Sequence, residues 1–508
     1  MDRQIRRLGV AIVALFAVLF GQVAYVQVFA ADRIANNPAN AQRQIIAEYK
    51  VQRGAIVAAD STVLARSVEN PDPKAPYRYV REYPGGDLYG HITGYYSRIF
   101  GRAGLEQAMN SYLAGSAPAL AISNVTDLVL GRPKKGGSVY TTIQPGVQRA
   151  ARDALGEHQG AIAAIDPENG DVLALYSNPG YDPTILSTGE SDSMRQAWEQ
   201  LNADPDKPLL SKAFQELFLP GSTFKLVTAS AALENGWGPE RLWANPAVLD
   251  LPSTNDDLAN FGGSLCNGGS SQVTMAEAFK ESCNVTFGEI GLQLGPDRLS
   301  RQARAYGFCL TMPEVQPDCV EPTVPFDLPF QNGRFPEPSY FEQRVPAIAY
   351  SAVGLDNDQM NPLQLALISG AIANGGTLYA PRLVSEIRDP QGRVVESFGD
   401  RAFGRAISTE TAVRMRDMMV SVVEGGTGYT AAIPGVTVAG KTGTATNGEN
   451  VPPNAWFTAF APAGPSDTPD VAVAVIVLNG GFLGNEATGG RVAAPIAKQV
   501  IEAALSTP

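Results

Sequence analysis

Apolar residues are concentrated first near the start of this 508-residue chain, where they run almost without interruption from position 8 to position 30. A helix of that length, rising about 1.5 Å per residue, spans a bilayer core of about 30 Å. Three arginines lie within residues 1–7, and basic residues ahead of a span predict a cytoplasmic tail and an exported remainder. We therefore predict a transmembrane anchor at 8–30. A cleaved signal peptide ending near Ala30 is the alternative.

Residues 31–138 have an irregular, polar pattern in which proline and glycine interrupt short apolar runs. This region predicts a small non-catalytic module, which we call the pedestal. After residue 138 the apolar positions become periodic, and 148–155 has the spacing of a helix. We therefore predict a catalytic domain at 139–508.

The catalytic domain carries strand patterns at both of its ends. Two apolar runs, 160–166 and 171–177, are joined by Pro167-Glu-Asn-Gly170, which predicts a hairpin. Three further strands and a helix with one apolar face follow near the C-terminus: 435–445, 455–460, 471–478 and 492–505. Helices mostly separate the second strand from the third. The pattern therefore favours an α+β fold with a five-stranded antiparallel sheet, flanking helices and an all-helical subdomain.

Two stretches between these ends, 242–271 and 309–343, are rich in proline, glycine and asparagine and are predicted to be surface loops at the rim of a cleft. All four cysteines lie in or near them: Cys266, Cys283, Cys309 and Cys319. Disulfides persist on the exported side of a membrane, and four cysteines allow three pairings. We favour the two local pairings, Cys266–Cys283 and Cys309–Cys319.

Charge and histidine content exclude several functions. The net charge is −12, whereas nucleic-acid binding needs a basic face. The two histidines, His91 and His158, occur without a G-x-S-x-G elbow, and the cysteines form no C-x-x-C pair. We therefore predict neither a Ser-His-Asp triad nor a metal or cofactor site, and interpret both histidines as surface or packing residues.

The string Ser222-Thr-Phe-Lys225 begins a helix-compatible stretch, which places the lysine on the same face as the serine. A serine hydroxyl becomes a good nucleophile when a neighbouring base takes its proton. Burial and a second cation lower the pKa of an amine enough for that task. We predict Ser222 as nucleophile and Lys225 as its base. By itself the string also fits a helix cap and a solvated lysine.

Ser282-Cys-Asn284 follows a helical run and falls where a helix ends or a loop begins. Its serine is predicted to relay a proton to the leaving amine, and its asparagine to bind a substrate amide. Taken singly, the string is also typical of a turn.

Lys441-Thr-Gly443-Thr444 lies on a predicted strand. Lys441 is predicted to add positive charge, and Thr442 and Thr444 to donate to a substrate carboxylate. Gly443 has no Cβ, which predicts that a substrate backbone lies close to the strand. An exposed edge strand is the alternative for this string alone. The three strings together, in this order, indicate acyl transfer without histidine.

These strings resemble those of the serine penicillin-recognising enzymes. Four others resemble the non-catalytic, dimerisation-type module of class B penicillin-binding proteins: Arg53-Gly-Ala-Ile56, Arg81-Glu-Tyr-Pro84, Gly94-Tyr-Tyr96 and Gly104-Leu-Glu106. Four more resemble that family's transpeptidase domain: 160–177, Tyr181-Asp-Pro183, Gly426-Thr-Gly428 and Gly440-Lys-Thr-Gly-Thr-Ala445. The similarity covers essentially the whole chain. Its short pedestal and Ser-Cys-Asn string are most similar to the penicillin-binding protein A group of actinobacteria.

The resemblance implies a D,D-transpeptidase that crosslinks peptidoglycan stem peptides and is acylated by beta-lactams. Ser222 would attack the penultimate D-alanine carbonyl, with the backbone N–H groups of Ser222 and Thr444 as oxyanion hole. It also implies a single-pass cell-membrane protein with its catalytic domain outside the cytoplasm. A membrane glycan polymerase and division proteins are the expected partners, because no upstream segment is long enough for a glycosyltransferase domain.

Two residues depart from the family pattern: Gln144, where aspartate is frequent, and Thr446, where glutamate or glutamine is frequent. The pairing of Cys266 with Cys283 fits the family, whereas Cys309 and Cys319 are particular to this chain. A D,D-carboxypeptidase or beta-lactamase remains the alternative enzyme, although no carboxylate motif for activating water is evident. A beta-lactam sensor or wall scaffold is the non-enzymatic alternative, disfavoured by the short tail and by the presence of both Ser222 and Lys225.

Overall fold

The computed structural model describes residues 2–28, 49, 51–72, 74, 77–120, 133–313, 319, 323–342, 344–446, 448 and 451–507. Within these residues, both ends of the predicted catalytic domain contribute to one antiparallel sheet of five strands. The strands are β1 (Gly160–Ile165), β2 (Val172–Asn178), β3 (Ala439–Ala445), β4 (Asn454–Ala461) and β5 (Val471–Val477). Their spatial order is β3-β4-β5-β1-β2. The predicted α+β fold with a five-stranded antiparallel sheet is confirmed.

Helices cover both faces of this sheet, since every residue of β4 and β5 is buried. A strand buried on both faces reads as a continuous apolar run rather than as an alternation, which is why these strands were recognisable in the sequence. The packing helices are Pro145–Leu155, Pro362–Ala373 and Ala494–Leu505.

The helix predicted at 148–155 begins three residues earlier, at Pro145, and two further predicted bounds need correction. Strand β3 starts at Ala439 rather than at 435, because Ile433 and Val436 pair across a tight turn in which Gly435 has a φ of +79°. The final helix starts at Ala494 rather than at 492, because one wider π-helical turn, Gly489–Ala493, precedes it. Both corrections concern turns that apolar periodicity does not mark.

The helical subdomain surrounds one buried helix. Lys225–Glu234 is buried along its whole length except for Glu234, and it follows a 3₁₀ turn, Gly221–Phe224. It packs against three helices, Met275–Glu281, Asn284–Ala305 and Thr409–Gly425. The same region also contains the helix Val345–Ala352.

The pedestal is built on a second sheet that also takes strands from the catalytic part of the chain. Its six described strands, in spatial order, are Val394–Ser397, Val384–Arg388, Ser138–Thr141, Ile56–Val57, Val63–Glu69 and Tyr79–Glu82. Strand Ser138–Thr141 crosses the division that we predict after residue 138. The two parts of the chain are therefore joined by backbone hydrogen bonds.

A buried ion cluster fixes the pedestal beside this sheet. The carboxylate of Glu106 accepts from Arg53 Nε at 2.5 Å and from Arg81 Nε at 2.6 Å, and all three side chains are buried. Burial raises the pKa of Glu106, but the two guanidinium groups outweigh it and hold that pKa below its usual value.

The N-terminal helix Asp2–Val28 contains the segment Arg6–Val26, which is long and apolar enough to cross a membrane. The predicted end of the anchor at Ala30 lies outside the described residues. Shorter helices are Gly90–Thr93, Gly104–Ala108, Asn110–Leu113, Thr184–Ser187 and Ser191–Ala203. Short strand pairs are Tyr96–Ser97 with Gly101–Arg102, Leu242–Ala244 with Gln272–Thr274, Val248–Asp250 with Asp257–Ala259, Cys309–Thr311 with Arg334–Pro336, and Thr377–Tyr379 with Ala402–Arg405.

Candidate active site

A cleft of about 410 Å³ opens beside β3, the edge strand of the central sheet. Two of the predicted site residues, Lys225 and Lys441, lie fully buried at its base. The other six line it: Ser222, Ser282, Asn284, Thr442, Gly443 and Thr444. The structure therefore brings all eight together from positions more than two hundred residues apart.

The turn that carries Ser222 is clamped between β3 and the backbone at Gly354. Gly221 has a φ of +53°, and a Cβ there would lie 2.5 Å from the carbonyl oxygen of Thr444. On the other side, Gly221 N–H donates to the Gly354 carbonyl oxygen at 2.9 Å. A Cβ at Gly354 would overlap the Gly221 carbonyl group. Both glycines are thus required for the backbone to approach closely on each side of the nucleophile.

Ser222 lies in the 3₁₀ turn, and Lys225 is the first residue of the α-helix that follows. The sequence predicted both at the start of one helical stretch, so the α-helix begins three residues later than expected. In a 3₁₀ turn residues i and i+3 eclipse each other, which brings the two side chains together directly. Lys225 Nζ lies 3.0 Å from Ser222 Oγ.

The other contacts of Lys225 orient its amine. Nζ donates to the carbonyl oxygen of Ser282 at 2.7 Å and to Oδ1 of Asn284 at 2.8 Å. A neutral amine has two N–H groups and one lone pair. With both N–H groups directed at these oxygens, the lone pair remains for the proton of the Ser222 hydroxyl.

Burial favours the neutral form of this amine. It lowers the pKa of Lys225 well below its usual value, and the positive charge of Lys441 lowers it further. Burial also lowers the pKa of Lys441, to about 7. Both effects on Lys225 favour its neutral form, which is the form that a base requires.

Ser282 connects the two lysines. Its Oγ accepts from Lys441 Nζ at 2.8 Å and lies 3.4 Å from Lys225 Nζ. The helix Met275–Glu281 ends at Ser282, as the sequence indicated, and Ser282 has a left-handed φ of +65°. Such a conformation is unfavourable for a residue other than glycine, and it is found mainly where the surrounding structure or function requires it.

Asn284 and Gly443 have protein neighbours that the sequence did not predict, whereas their predicted contacts with a substrate stay predictions. Asn284 already accepts from Lys225, and its Nδ2 donates to the Ala259 carbonyl oxygen at 3.1 Å, so its amide positions the base. A Cβ at Gly443 would lie 2.8 Å from Thr223 Cγ2 and 3.0 Å from Trp456 Cβ. The absence of a side chain therefore makes room for the protein itself, and the approach of a substrate backbone to this strand stays a prediction.

The cysteines are paired as the sequence favoured, Cys266 with Cys283 and Cys309 with Cys319. The first pair ties the loop that follows Leu242 to the Ser282 turn, and it lines the cleft. This loop forms part of the rim as predicted. None of the described residues of 309–343 lines the cleft, so the place of this segment at the rim stays a prediction.

Several lining residues were not identified from the sequence. Thr427 lies in the Gly-Thr-Gly string, and its hydroxyl pairs with that of Thr442 at 2.6 Å. Arg491 and Leu355 come from a turn and a loop without a recognisable motif. Of the two departures from the family pattern, Thr446 lines the cleft, whereas Gln144 precedes the helix Pro145–Leu155.

Both histidines lie outside the described cleft lining. His91 Nε2 lies 2.8 Å from the Pro208 carbonyl oxygen, and burial lowers the pKa of its imidazole to about 4. His158 packs against Phe482 with ring centroids 4.3 Å apart. Their packing roles agree with the sequence interpretation.

Family models match both parts of the chain. The model of the penicillin-binding protein transpeptidase domain matches residues 160–502, and that of the penicillin-binding protein A dimerisation domain matches residues 53–139. The chain is a class B penicillin-binding protein. The second match lies within the pedestal except for its last residue, 139, which belongs to the strand Ser138–Thr141.

This penicillin-binding protein is similar to relatives along its whole length. It is 38% identical over 513 residues to the peptidoglycan D,D-transpeptidase PbpA of Mycolicibacterium smegmatis, covering 99% of each chain. It also matches penicillin-binding protein A of M. tuberculosis in its ceftriaxone acyl-enzyme complex, with 36% identity and a TM-score of 0.83, covering 91% of this chain and 100% of that one. The penicillin G acyl-enzyme complex of the same protein matches with 36% identity, a TM-score of 0.81 and coverage of 90% and 100%.

Proposed function

We propose that this chain is a peptidoglycan D,D-transpeptidase that works through an acyl-enzyme on Ser222. The observation that carries the proposal is the buried Lys225 amine 3.0 Å from Ser222 Oγ, with two oxygens occupying its N–H groups. The PbpA relatives and the acyl-enzyme structures of a similar protein support the same chemistry.

In the acylation step, Ser222 Oγ attacks the penultimate D-alanine carbonyl carbon while its proton moves to Lys225 Nζ. The tetrahedral intermediate then collapses, and the bond to the terminal D-alanine nitrogen breaks. That nitrogen takes a proton from the Ser282 hydroxyl, which lies 2.8 Å from Lys441 Nζ and can be reprotonated through the lysines. The products are an ester on Ser222 and free D-alanine.

In the second step, an amine of a neighbouring stem peptide attacks the ester carbonyl carbon. The amine loses one proton to the site, the ester C–O bond breaks, and Ser222 Oγ regains a proton. We assign the oxyanion hole to the backbone N–H groups of Ser222 and Thr444. Contact between Gly221 and the Thr444 carbonyl oxygen supports this assignment, because it places the two backbone segments side by side.

The N-terminal helix supports a membrane location. We propose that residues 8–30 form a single-pass anchor, that 1–7 are cytoplasmic, and that the pedestal and the catalytic domain lie outside. We also retain the division between 31–138 and 139–508. A membrane glycan polymerase and division proteins are proposed partners, because transpeptidation needs newly polymerised glycan.

Labelling with a fluorescent penicillin tests the mechanism. We expect one covalent adduct per chain in the native protein, none in Ser222→Ala, and at least a 100-fold slower reaction in Lys225→Ala, in the range of about 10²–10⁴ typical of a lost general base. Thermal unfolding verifies that both variants are folded. Equal labelling of Ser222→Ala would exclude the proposed nucleophile, and rapid release of hydrolysed penicillin would instead indicate a hydrolase.

A further inference from the structure

The disulfide between Cys266 and Cys283 lies directly beside the groups that orient the base. Cys283 is the residue between Ser282 and Asn284 in the chain. The Lys225 amine donates to the Ser282 carbonyl oxygen at 2.7 Å and to Asn284 Oδ1 at 2.8 Å. A shift of Cys283 therefore moves both oxygens that hold this amine.

The loop around Cys266 makes few packing contacts of its own. Phe261 and Leu265 are 61% and 43% exposed, and a loop with few buried apolar contacts opens easily. An added Cβ would meet nothing within 4 Å at three glycines of this loop: Gly262, Gly263 and Gly268. The loop therefore depends on its links to the Ser282 turn for a fixed position.

Hydrogen bonds supply part of this link. Asn284 Nδ2 donates to the Ala259 carbonyl oxygen at 3.1 Å, and the backbone N–H of Asn267 donates to the Glu281 carboxylate at 2.9 Å. Both of these bonds are exposed, so water competes for the donors and acceptors. Water cannot replace the disulfide in this way, which makes the bridge the strongest constraint on the loop and the turn.

Reduction would remove this constraint. A dithiol gives two electrons and two protons to the bridge, so that the S–S bond breaks, two thiols form, and the dithiol itself closes to a disulfide. Both cysteines line the open cleft, which gives a small dithiol a route to the bridge. On the exported side of a membrane, where disulfides persist, the bridge stays closed.

We infer that the Cys266–Cys283 disulfide is a redox switch of acyl transfer. Closed, it holds the Ser282 carbonyl oxygen and the Asn284 amide on the Lys225 amine. Open, it releases both, so the amine turns and its lone pair no longer points at the nucleophile. The inference rests on the proposed function, because it concerns the base of that reaction. It predicts a protein that becomes competent when its bridge is oxidised and loses competence when thiols are kept reduced.

The test uses a chain without the second disulfide, Cys309→Ser with Cys319→Ser, so that one bridge remains. Full-length protein in detergent is reduced with dithiothreitol, separated from it without air, and labelled with fluorescent penicillin. A second portion is reoxidised before labelling, and alkylation with mass spectrometry counts the thiols. We expect reduction to slow labelling about 10-fold or more, because small misplacements at a reacting centre have large kinetic effects, and reoxidation to restore the rate.

Two double variants of the native chain provide the matched comparison without any reductant. Cys266→Ser with Cys283→Ser should label as slowly as the reduced protein. Cys309→Ser with Cys319→Ser should label at the native rate, because that pair lies outside the described cleft lining.

Equal labelling of the reduced and oxidised proteins overturns the inference. Thermal unfolding of the reduced form below the assay temperature overturns it as well, because the bridge would then support the fold rather than the turn. If the oxidised protein does not label at Ser222, the proposed function itself fails. That result is separate from the ratio of the two labelling rates, which tests the switch.

Discussion

The hydroxyl of Ser282 accepts a 2.8 Å hydrogen bond from Lys441. The same hydroxyl oxygen lies 3.4 Å from the amine of Lys225, so one serine places the two basic groups within reach of each other's charge. This arrangement explains why the charge of Lys441 adds to burial in lowering the pKa of Lys225.

Removing the charge of Lys441 is expected to shift the pH dependence of acylation. Lys225 acts as a base in its neutral form, so acylation is lost as the pH falls through its pKa. In Lys441→Met the repulsion is absent while burial remains, so the pKa of Lys225 rises and the acid limb moves to higher pH. The measurement is the rate of penicillin labelling against pH, with Lys498→Met as control. An acid limb at the native position would contradict the coupling.

Two substitutions of Ser282 separate its hydroxyl from its backbone conformation. The φ of +65° suits glycine, whereas alanine in the left-handed region costs about 1–2 kcal/mol. Ser282→Gly should therefore unfold at a higher temperature than Ser282→Ala. Both lack the hydroxyl that protonates the leaving amine, and we expect both to lose about 100-fold or more in D-alanine release. A Ser282→Gly variant with native activity would remove the proton relay.

Gly354→Ala tests the clamp on the nucleophile. The added methyl group would overlap the Gly221 carbonyl oxygen, at a position where φ is already +77°. We expect a folded protein with a displaced Ser222 turn and penicillin labelling slowed at least about 10-fold, since small misplacements at a reacting centre have large kinetic effects. Gly404→Ala is the control, because nothing lies within 4 Å of its added Cβ. Equal labelling rates in the two variants would show that the clamp does not position Ser222.

Asp358 is expected to weaken the protein at neutral pH. Its side chain is fully buried, and among the described residues no hydrogen bond within 3.5 Å reaches either carboxylate oxygen, although the Ser351 hydroxyl lies near enough to oppose the rise of its pKa. Burial raises its pKa well above the usual value, and the negative charge of Asp356 raises it further. A folded pKa above the unfolded one, about 3.9, means that stability is greatest below the unfolded pKa and is lost as the pH rises through the folded pKa.

Asp358→Asn should remove this pH dependence, because the amide is neutral at every pH. We expect the variant to be about 1–3 kcal/mol more stable than the native protein at neutral pH and similar to it in acid. Thermal unfolding of the two proteins from acid to neutral pH measures the difference in stability, with the exposed Asp192→Asn as control. A variant that is less stable than the native protein at neutral pH would show that the ionised carboxylate has a partner.

The sequence was most informative where chemistry or burial acts over a few residues. The spacing of Ser222 and Lys225 already implied contact, because three residues make one turn. The strands β4 and β5 were visible because burial on both faces leaves no polar position. The fold class and the family of the chain could be predicted from such local signals.

Long-range pairing left no comparable signal. Nothing in Val384–Arg388 indicates that its partner is Ser138–Thr141 rather than a strand of the catalytic sheet. The protein contacts of Gly443 could not be predicted for the same reason, since its neighbours Thr223 and Trp456 come from other segments. The place of Arg491 depends likewise on how a turn packs against β3.

The shared pedestal sheet constrains the order in which the chain can mature. The hydroxyl of Ser385 donates to the Tyr140 carbonyl oxygen across a separation of 245 residues. During synthesis from the N-terminus, Ser138–Thr141 is therefore made long before its partner strand Val384–Arg388. The edge of Ser138–Thr141 stays uncovered until that partner has been made. Unpaired strand edges promote aggregation in the meantime. A fragment truncated after residue 138 would also lose most of Ser138–Thr141 and leave Ile56–Val57 without its partner on that side, so the pedestal is poorly suited to production as an isolated piece.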